Sequence, residues 1–198
     1  MRPAGFHIAA LLLPLALVGA GSAAVEGQVP RPAVSPLPAR PESLLLFLRH
    51  WVYAGPWQDW LDGPDSTTWY QAAAFPPGPR YSEAYIVQLK GRPWCGMNVG
   101  CETLVIGRDS TGYHVLGDFD RVHIPVSVLR TSQYGWPDLT TWAWGAGRLT
   151  PRLGLMRFDG KAYRGDPAEG PRARHEGRRI LTDSTRPQPL FPATPRWP

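Results

Sequence analysis

The chain has little lysine, no long apolar run and only a small net charge, and these features exclude some classes of protein. Only two of its 21 basic residues are lysine, and the formal net charge is a mild +5. No cluster of arginines alternates with base-stacking aromatic residues, so we expect no nucleic-acid partner. No apolar run reaches the roughly 18 residues of a transmembrane helix, so we expect no integral membrane span in the mature protein.

The chain also lacks the motifs of the common hydrolases and nucleotide-binding enzymes. It has no G-x-S-x-G, no H-E-x-x-H and no glycine-rich phosphate loop. Its histidines lie far apart in sequence, whereas structural zinc sites draw on closely spaced pairs of ligands. We therefore expect no cofactor and no metal, and we favour a binding domain over an enzyme. Convergent active sites keep catalysis open as an alternative.

The clearest positive signal is an export leader at the N-terminus. Arg2 precedes an apolar run over residues 6–18, and small residues follow that run up to Ala24. A helix of 13 residues spans about 20 Å, less than the roughly 30 Å of bilayer hydrocarbon. We predict a signal peptide over residues 1–24, cleaved after Ala23 or Ala24, and a bacterial protein that is periplasmic or secreted. An uncleaved anchor is the alternative.

Export bears on the only two cysteines, Cys95 and Cys101, which enclose a short loop with Gly96 and Gly100 just inside it. Disulfides persist outside the cytosol, and closing so small a loop contributes about 2.4 kcal/mol to stability. A redox pair favours the spacing C-x-x-C, and a zinc site needs two further ligands. We predict a disulfide across a loop that enters a strand. A metal site and free or redox-active thiols are the alternatives.

Proline is concentrated at the two ends of the chain, where residues 1–41 and 165–198 hold 14 of the 23 prolines. Residues 25–41 hold five prolines and little to bury, which predicts an extended linker. Residues 165–198 lack apolar periodicity and are rich in arginine, which predicts a disordered basic tail. A compact β-rich domain is therefore expected over residues 42–164.

Apolar periodicity in that domain predicts a mainly β fold. Leucine and aromatic residues recur at helical spacing from Pro41 to about Tyr53, whereas residues 63–80 have the composition of turns. Six later segments alternate or carry β-branched residues, with turn residues between them. We predict an antiparallel β-meander of five or six strands with one short N-terminal helix packed on it. The predicted strands cover residues 83–89, 102–108, 113–119, 122–128, 139–144 and 153–158.

Three short elements stand in a fixed order in the central part of the chain. They are Trp-Cys-Gly-x-x-x-Gly-Cys at 94–101, Gly-Trp-x-Asp-Leu at 135–139 and Phe-Asp-Gly-x-x-Tyr at 158–163. In these elements the run from 81 to 163 resembles a set of small exported bacterial proteins of unknown function, distantly similar to a β blade of FG-GAP propellers. The resemblance implies an exported β-rich domain. Many relatives carry an acidic calcium-type loop where this chain has residues 77–83, which lack clustered Asp or Asn oxygens.

Aromatic residues supply the candidate binding site, because Tyr134, Trp136, Trp142 and Trp144 fall within 11 residues of a chain with nine tryptophans. Strand alternation places Trp142 and Trp144 on one face together with Thr140. If that face is uncovered, the indole rings form a platform for a sugar ring or a partner protein. If it is covered, the tryptophans form the core beneath the helix.

Asp118 and Asp120 are the candidate acid–base residues, since residues two apart share one side of a strand. The simpler interpretation is a polar hairpin end with Arg121 as counter-charge. Glu102 reads as a surface residue of a strand, and Asp138 as a residue that orders a turn through local backbone amides.

Together these observations favour an exported, non-catalytic cell-envelope binding or interaction domain, with an envelope glycan or protein as the expected partner. One alternative is a small cell-wall-directed hydrolase that uses Asp118 and Asp120, and another is a structural accessory subunit. The sequence leaves the ligand and the oligomeric state open. The predicted contact residues are Tyr134, Trp136, Trp142 and Trp144.

Overall fold

The structure is a computed structural model that describes residues 41–55, 68–96, 100–145 and 148–191. The predicted signal peptide and linker up to residue 40 lie outside these ranges, so both stay predictions. The described residues form one helix and eleven strands. The elements are α1 Pro41–Ala54, β1 Trp69–Ala74, β2 Glu83–Lys90, β3 Cys95–Gly96, β4 Gly100–Asp109, β5 Gly112–Val122, β6 Val126–Gln133, β7 Trp136–Gly145, β8 Arg148–Phe158, β9 Tyr163–Arg164, β10 Arg178–Leu181 and β11 Gln188–Pro189.

The strands form two antiparallel sheets. In the first sheet the order is β11-β1-β2-β4-β5, and the short β3 also pairs with β4. In the second sheet the order is β10-β6-β7-β8-β9. Hairpins join most sequence neighbours within each sheet, and the chain passes from the first sheet to the second after Val122. The predicted antiparallel, mainly β fold with one short helix is confirmed.

The main core lies between the two sheets. Strand alternation sends every second side chain of each sheet inward, where the burial of apolar surface stabilises the fold by about 25 cal/mol per Å². Helix α1 covers the opposite, outer face of the first sheet and buries Leu44, Leu48 and Val52, which are spaced four residues apart. The residues of the inter-sheet core include Phe75, Ile86, Val105, Leu116, Val126, Leu139, Met156 and Leu181.

The β4–β5 hairpin forms where the sequence predicts it. Asp109 pairs with Gly112, and the Asp109 side chain accepts a hydrogen bond from the backbone amide of Thr111 at 2.7 Å. Gly112 has a φ of 136°, a backbone conformation that residues with a side chain rarely adopt. The turn chemistry therefore sets the register of this hairpin.

The predicted disulfide between Cys95 and Cys101 is present, with the two Cα atoms 4.0 Å apart. It joins β3 to the start of β4, where Cys95 pairs with Cys101 and Gly96 with Gly100. Gly100 has a φ of 93°, which suits the tight reversal of this loop. The disulfide therefore holds one end of the first sheet together.

The prediction of turns throughout residues 63–80 is wrong for Trp69–Ala74. This segment forms β1 and pairs antiparallel with β2, from Trp69 opposite Lys90 to Ala74 opposite Tyr85. Its three alanines have low β propensity and hid the strand in the sequence. Tyr70 and Ala72 are buried in the cluster beneath the helix, and this tertiary packing outweighs the local preference.

The prediction of a disordered tail from residue 165 is wrong for residues 165–191, so the domain extends beyond residue 164. Strand β10 pairs with β6 at the edge of the second sheet, and β11 pairs with β1 at the edge of the first. Leu181 is fully buried between the sheets and Leu190 is fully buried beside the helix. Strands of four and two residues are too short to show periodicity, which is why composition alone suggested disorder.

The segment from Val122 to Val128 is two strands and not the one predicted. Strand β5 ends at Val122 in the first sheet, and β6 begins at Val126 in the second. Pro125 lies between them after a cis peptide bond, and it has no amide hydrogen to give to a sheet. Val122, Val126 and Val128 still face one core because the connection turns around its edge.

Candidate functional site

The four predicted contact residues do not form one surface. Trp136 is 2% exposed and lies in the inter-sheet core. Tyr134 is 69% exposed and lies in the turn between β6 and β7, away from the strand face that carries the other two. Trp142 is partly buried and Trp144 is 37% exposed. Trp142 and Trp144 therefore remain accessible on β7, whereas Trp136 does not.

Trp136 acts in packing. Its ring lies 5.1 Å from the Tyr81 ring and 5.3 Å from the Phe158 ring, measured between centroids. A Cβ atom placed on Gly78 would lie 2.2 Å from the indole nitrogen of Trp136, so the backbone of that loop rests directly on the ring. Burial on all sides leaves Trp136 no surface for a ligand, which removes it from the candidate site.

Trp144 stacks on His123. The two rings are nearly parallel, with centroids 3.5 Å apart and an angle of 17° between the planes. Burial lowers the pKa of His123, and the nearby charge of Lys90 lowers it further, so the imidazole is neutral at neutral pH. The side-chain hydroxyl of Thr141 donates a hydrogen bond to the His123 carbonyl oxygen. The stack therefore holds the Trp144 indole in one orientation at the end of β7.

Trp142 lines a groove of about 510 Å³ on the outer face of the second sheet. Residues 150–153 of β8 form one wall, and residues 172–176 form the other. The second wall belongs to a stretch that we call the crossing segment, residues 172–177. The amide of Ala173 donates to the carbonyl of Leu153 at 3.0 Å, and the segment ends where Arg178 pairs with β6. It thus runs from β8 across β7 to the far edge of the sheet.

Glu176 fastens the crossing segment to the sheet. Its carboxylate accepts hydrogen bonds from the Ser127 hydroxyl at 3.2 Å and from the indole N–H of Trp142. The hydrogen bond from Arg179, 2.8 Å long, lowers the pKa of Glu176, so this carboxylate is ionised at neutral pH. Ser127 and Thr140 are completely buried on this outer face. The segment therefore covers part of the tryptophan face and fixes the Trp142 ring at the edge of the covered part.

The loop before the crossing segment is also tied down. Arg152 is 8% exposed, and its guanidinium donates to the carbonyls of Ala168, at 2.8 Å, and Gly170. Gly154 permits the close approach of Pro167, because a Cβ atom there would lie 2.4 Å from the Pro167 carbonyl oxygen. The groove wall is thus pre-formed, which lowers the ordering cost of binding a ligand.

The groove carries positive charge that the described residues do not neutralise. Arg172, Arg174 and His175 are exposed, and within the described ranges neither of the two arginines makes an ion pair. Among the described residues of the lining, Glu176 alone carries a carboxylate. An indole, two exposed guanidinium groups and one carboxylate suit a ligand with an apolar ring face, hydroxyl groups and negative charge.

A second group of polar residues lies on the first sheet. Leu104 pairs with Asp118, and a register shift between Cys101 and Thr103 brings Glu102 beside the start of this pairing. Glu102 shares a hydrogen bond with the Asp118 side chain. Burial raises the pKa of Glu102 to about 8, and the hydrogen bond to Asp118 and the charges of Asp118 and Asp120 add to this rise.

The interpretation of Glu102 as a surface residue is therefore wrong. Asp118 and Asp120 are exposed, as expected for a polar hairpin end, but Glu102 is partly buried and protonated at neutral pH. Residue spacing on one strand could suggest only the Asp118–Asp120 pair. The Glu102–Asp118 contact depends on the bulge between two strands, which no local signal announces.

Asp138 does not bond to backbone amides as predicted. It is 1% exposed, and its carboxylate accepts from the Thr131 hydroxyl at 2.7 Å and from the Arg157 guanidinium at 3.2 Å. It therefore links β6, β7 and β8 through side chains. This is a structural role within the second sheet.

Comparisons of the chain with models of known protein families, with curated proteins and with solved structures found no match. Among the described residues, no three His, Cys, Asp or Glu side chains come together as metal ligands. In the same part of the chain no helix is long and apolar enough to cross a bilayer. The function is consequently argued from the groove itself.

Proposed function

We propose that this protein is an exported, non-catalytic binding domain of the bacterial cell envelope that binds a glycan in the groove at Trp142. One observation carries the proposal: a groove of about 510 Å³ has an oriented indole in its lining. This volume falls within the range of about 300–1,000 Å³ for small-ligand sites. Arginine side chains in the same lining add hydrogen-bond donors for the polar edge of a sugar.

The indole is suited to a sugar because its flat face is apolar while its N–H is already satisfied. The hydrogen bond to Glu176 holds the Trp142 ring before any ligand arrives. A pre-oriented aromatic ring loses little side-chain entropy on binding. Trp144 lies two residues further along β7 and is 37% exposed, so it offers a second indole to a longer ligand.

The disulfide supports export, although the compartment itself is part of the proposal. A disulfide between Cys95 and Cys101 persists in the periplasm or outside the cell, whereas the cytosol keeps such a pair reduced. The predicted signal peptide over residues 1–24 points in the same direction. Binding of an envelope glycan is the function that fits both this compartment and the groove.

Calorimetric titration of the mature protein with soluble envelope oligosaccharides tests the proposal, together with co-sedimentation on insoluble envelope material. We expect Trp142→Ala to weaken binding at least tenfold. The matched control is Trp69→Ala, because Trp69 is 40% exposed on the first sheet and should not touch the ligand. Equal affinities of wild type and a folded Trp142→Ala variant would refute a site at the groove.

A small cell-wall-directed hydrolase is the second candidate, and the Glu102–Asp118 contact is the observation that favours it. Two carboxyl groups in contact, one of them with a raised pKa, can provide a general acid and a general base. If this pair is catalytic, Glu102→Gln and an Asp118→Asn, Asp120→Asn double variant should each abolish release of soluble fragments from purified cell wall. Unchanged release by both variants would remove this candidate.

If the protein neither binds nor cleaves envelope material, the accessory-subunit alternative is left, and co-purification from the envelope fraction tests it.

A further inference from the structure

The crossing segment places two arginines, Arg172 and Arg174, in the lining of the groove. Arg172 forms a bridge with Gly154, and the amide of Ala173 bonds to the carbonyl of Leu153, so this part of the segment is extended. The chain then bends at Arg174 and His175. Because both arginines line the groove, two positive charges belong to the same wall.

The guanidinium groups of Arg172 and Arg174 differ in environment from that of Arg152, which lines the same groove. The Arg152 guanidinium is buried and bonded to two backbone carbonyls, so it serves the loop that supports the wall. Arg172 and Arg174 are exposed, and the described residues offer them no carboxylate partner. Guanidinium groups bind carboxylates and phosphates in a bidentate fashion, so the two arginines select an anionic ligand.

Glu176 narrows the choice of anion. Its ionised carboxylate belongs to the same lining, held by Arg179 and by the Trp142 indole. A phosphate with nearly two negative charges would be repelled by this group more strongly than a single carboxylate. The hydroxyl groups of a sugar carry no charge, so Glu176 does not repel them, and the sugar's own carboxylate can reach the arginines.

From this arrangement we infer that the ligand of the groove is a carboxylate-bearing saccharide, such as a polymer that contains uronic acid. The Trp142 indole contacts the apolar ring face, and Arg172 and Arg174 bind the carboxylate. The inference rests on the proposed function, because it names the chemical class of glycan that the same groove takes.

The experiment compares oligogalacturonate with the methyl ester of the same oligomer, which removes the negative charge and adds one methyl group per carboxylate. We expect the acid form to bind the wild-type protein at least tenfold more tightly than the ester in low salt. The advantage should shrink as salt is raised, because added ions screen exposed charges. An Arg172→Gln, Arg174→Gln double variant should reduce the advantage to less than threefold.

The control is an Arg130→Gln, Arg186→Gln double variant, which removes the same charge at exposed positions outside the groove lining and should keep the tenfold advantage. Equal binding of acid and ester would overturn the inference while the proposed glycan site stands. Tighter binding of an oligosaccharide that carries a phosphate monoester than of oligogalacturonate would also overturn it. If no saccharide binds at all, the proposed function itself fails.

Discussion

The carboxylate of Glu176 accepts a hydrogen bond from the hydroxyl of Ser127, at 3.2 Å and across 49 residues of chain. Through this contact the C-terminal part of the chain closes over the outer face of the second sheet. The same carboxylate accepts from the Trp142 indole and from Arg179. One side chain therefore determines both the position of the crossing segment and the orientation of the indole in the groove.

Glu176→Ala should loosen the crossing segment without unfolding the domain. It removes the acceptor for Ser127 and Trp142, and we expect the free energy of unfolding to fall by about 1–2 kcal/mol, as for the loss of a polar contact. The free energy of glycan binding should lose more than the free energy of unfolding does. Urea unfolding and titration calorimetry measure the two effects. Glu169→Ala is the control, since that exposed side chain lies outside the groove lining. An unchanged affinity in Glu176→Ala would contradict this role.

Removing residues 165–198 should prevent stable folding, because both sheets lose an edge strand. Leu181 and Leu190 are each completely buried, and we expect Leu181→Ala and Leu190→Ala to lower the free energy of unfolding by about 2–5 kcal/mol. Leu46→Ala on the exposed side of α1 should change it by less than about 0.5 kcal/mol. Denaturant unfolding of the variants checks this. A truncated chain as stable as the full one would disprove it.

Stability should decrease as the pH rises from about 5 to above 8, with Glu102 as a cause. Its pKa is raised to about 8 in the fold, against an ordinary value of 4.5. The fold therefore favours the protonated carboxyl group, and that stabilisation is complete below the ordinary pKa and lost as the pH passes the folded value. Urea unfolding at several pH values should show this slope. Glu102→Gln should flatten it, and an equal slope in that variant would assign the effect to other groups.

Reduction of the disulfide should lower the free energy of unfolding by about 2.4 kcal/mol, the value for a loop of this size. Denaturant unfolding with and without reductant measures the change. A Cys95→Ser, Cys101→Ser variant should match the reduced wild type and show no response to reductant.

Mass spectrometry of envelope fractions tests export: we expect a chain that begins after residue 23 or 24 and whose cysteines resist alkylation until they are reduced. An intact chain with open thiols in the cytosol would contradict the export proposal.

Local signals were sufficient for several elements. The helix from Pro41, the β4–β5 hairpin around Asp109 and Gly112, and the pairing of Cys95 with Cys101 all depend on residues close together in the chain. Helical spacing, turn chemistry and a short loop each act over a few residues, so the sequence predicts them directly. Alternation along β7 predicts that Trp142 and Trp144 share one face, and this stays a prediction because the register shifts between Ala143 and Gly145.

Other features depend on partners far away in the chain. Strand β1 exists because its alanines pair with β2 and lie beneath a helix, and β10 exists because Leu181 fills a gap between the sheets. Trp136 is buried by a loop that begins some sixty residues earlier, near Phe75. Glu102 meets Asp118 only through a bulge in the sheet.

The sequence by itself determined the class of fold, the helix, the central hairpin and the disulfide, because short-range geometry and periodicity depend on neighbouring residues. The tertiary structure alone decided which tryptophans stay accessible and that residues 165–191 are ordered. It also turned one of those segments into the wall of a groove. These outcomes follow from packing between segments distant in sequence, where burial outweighs the weak local preferences of each.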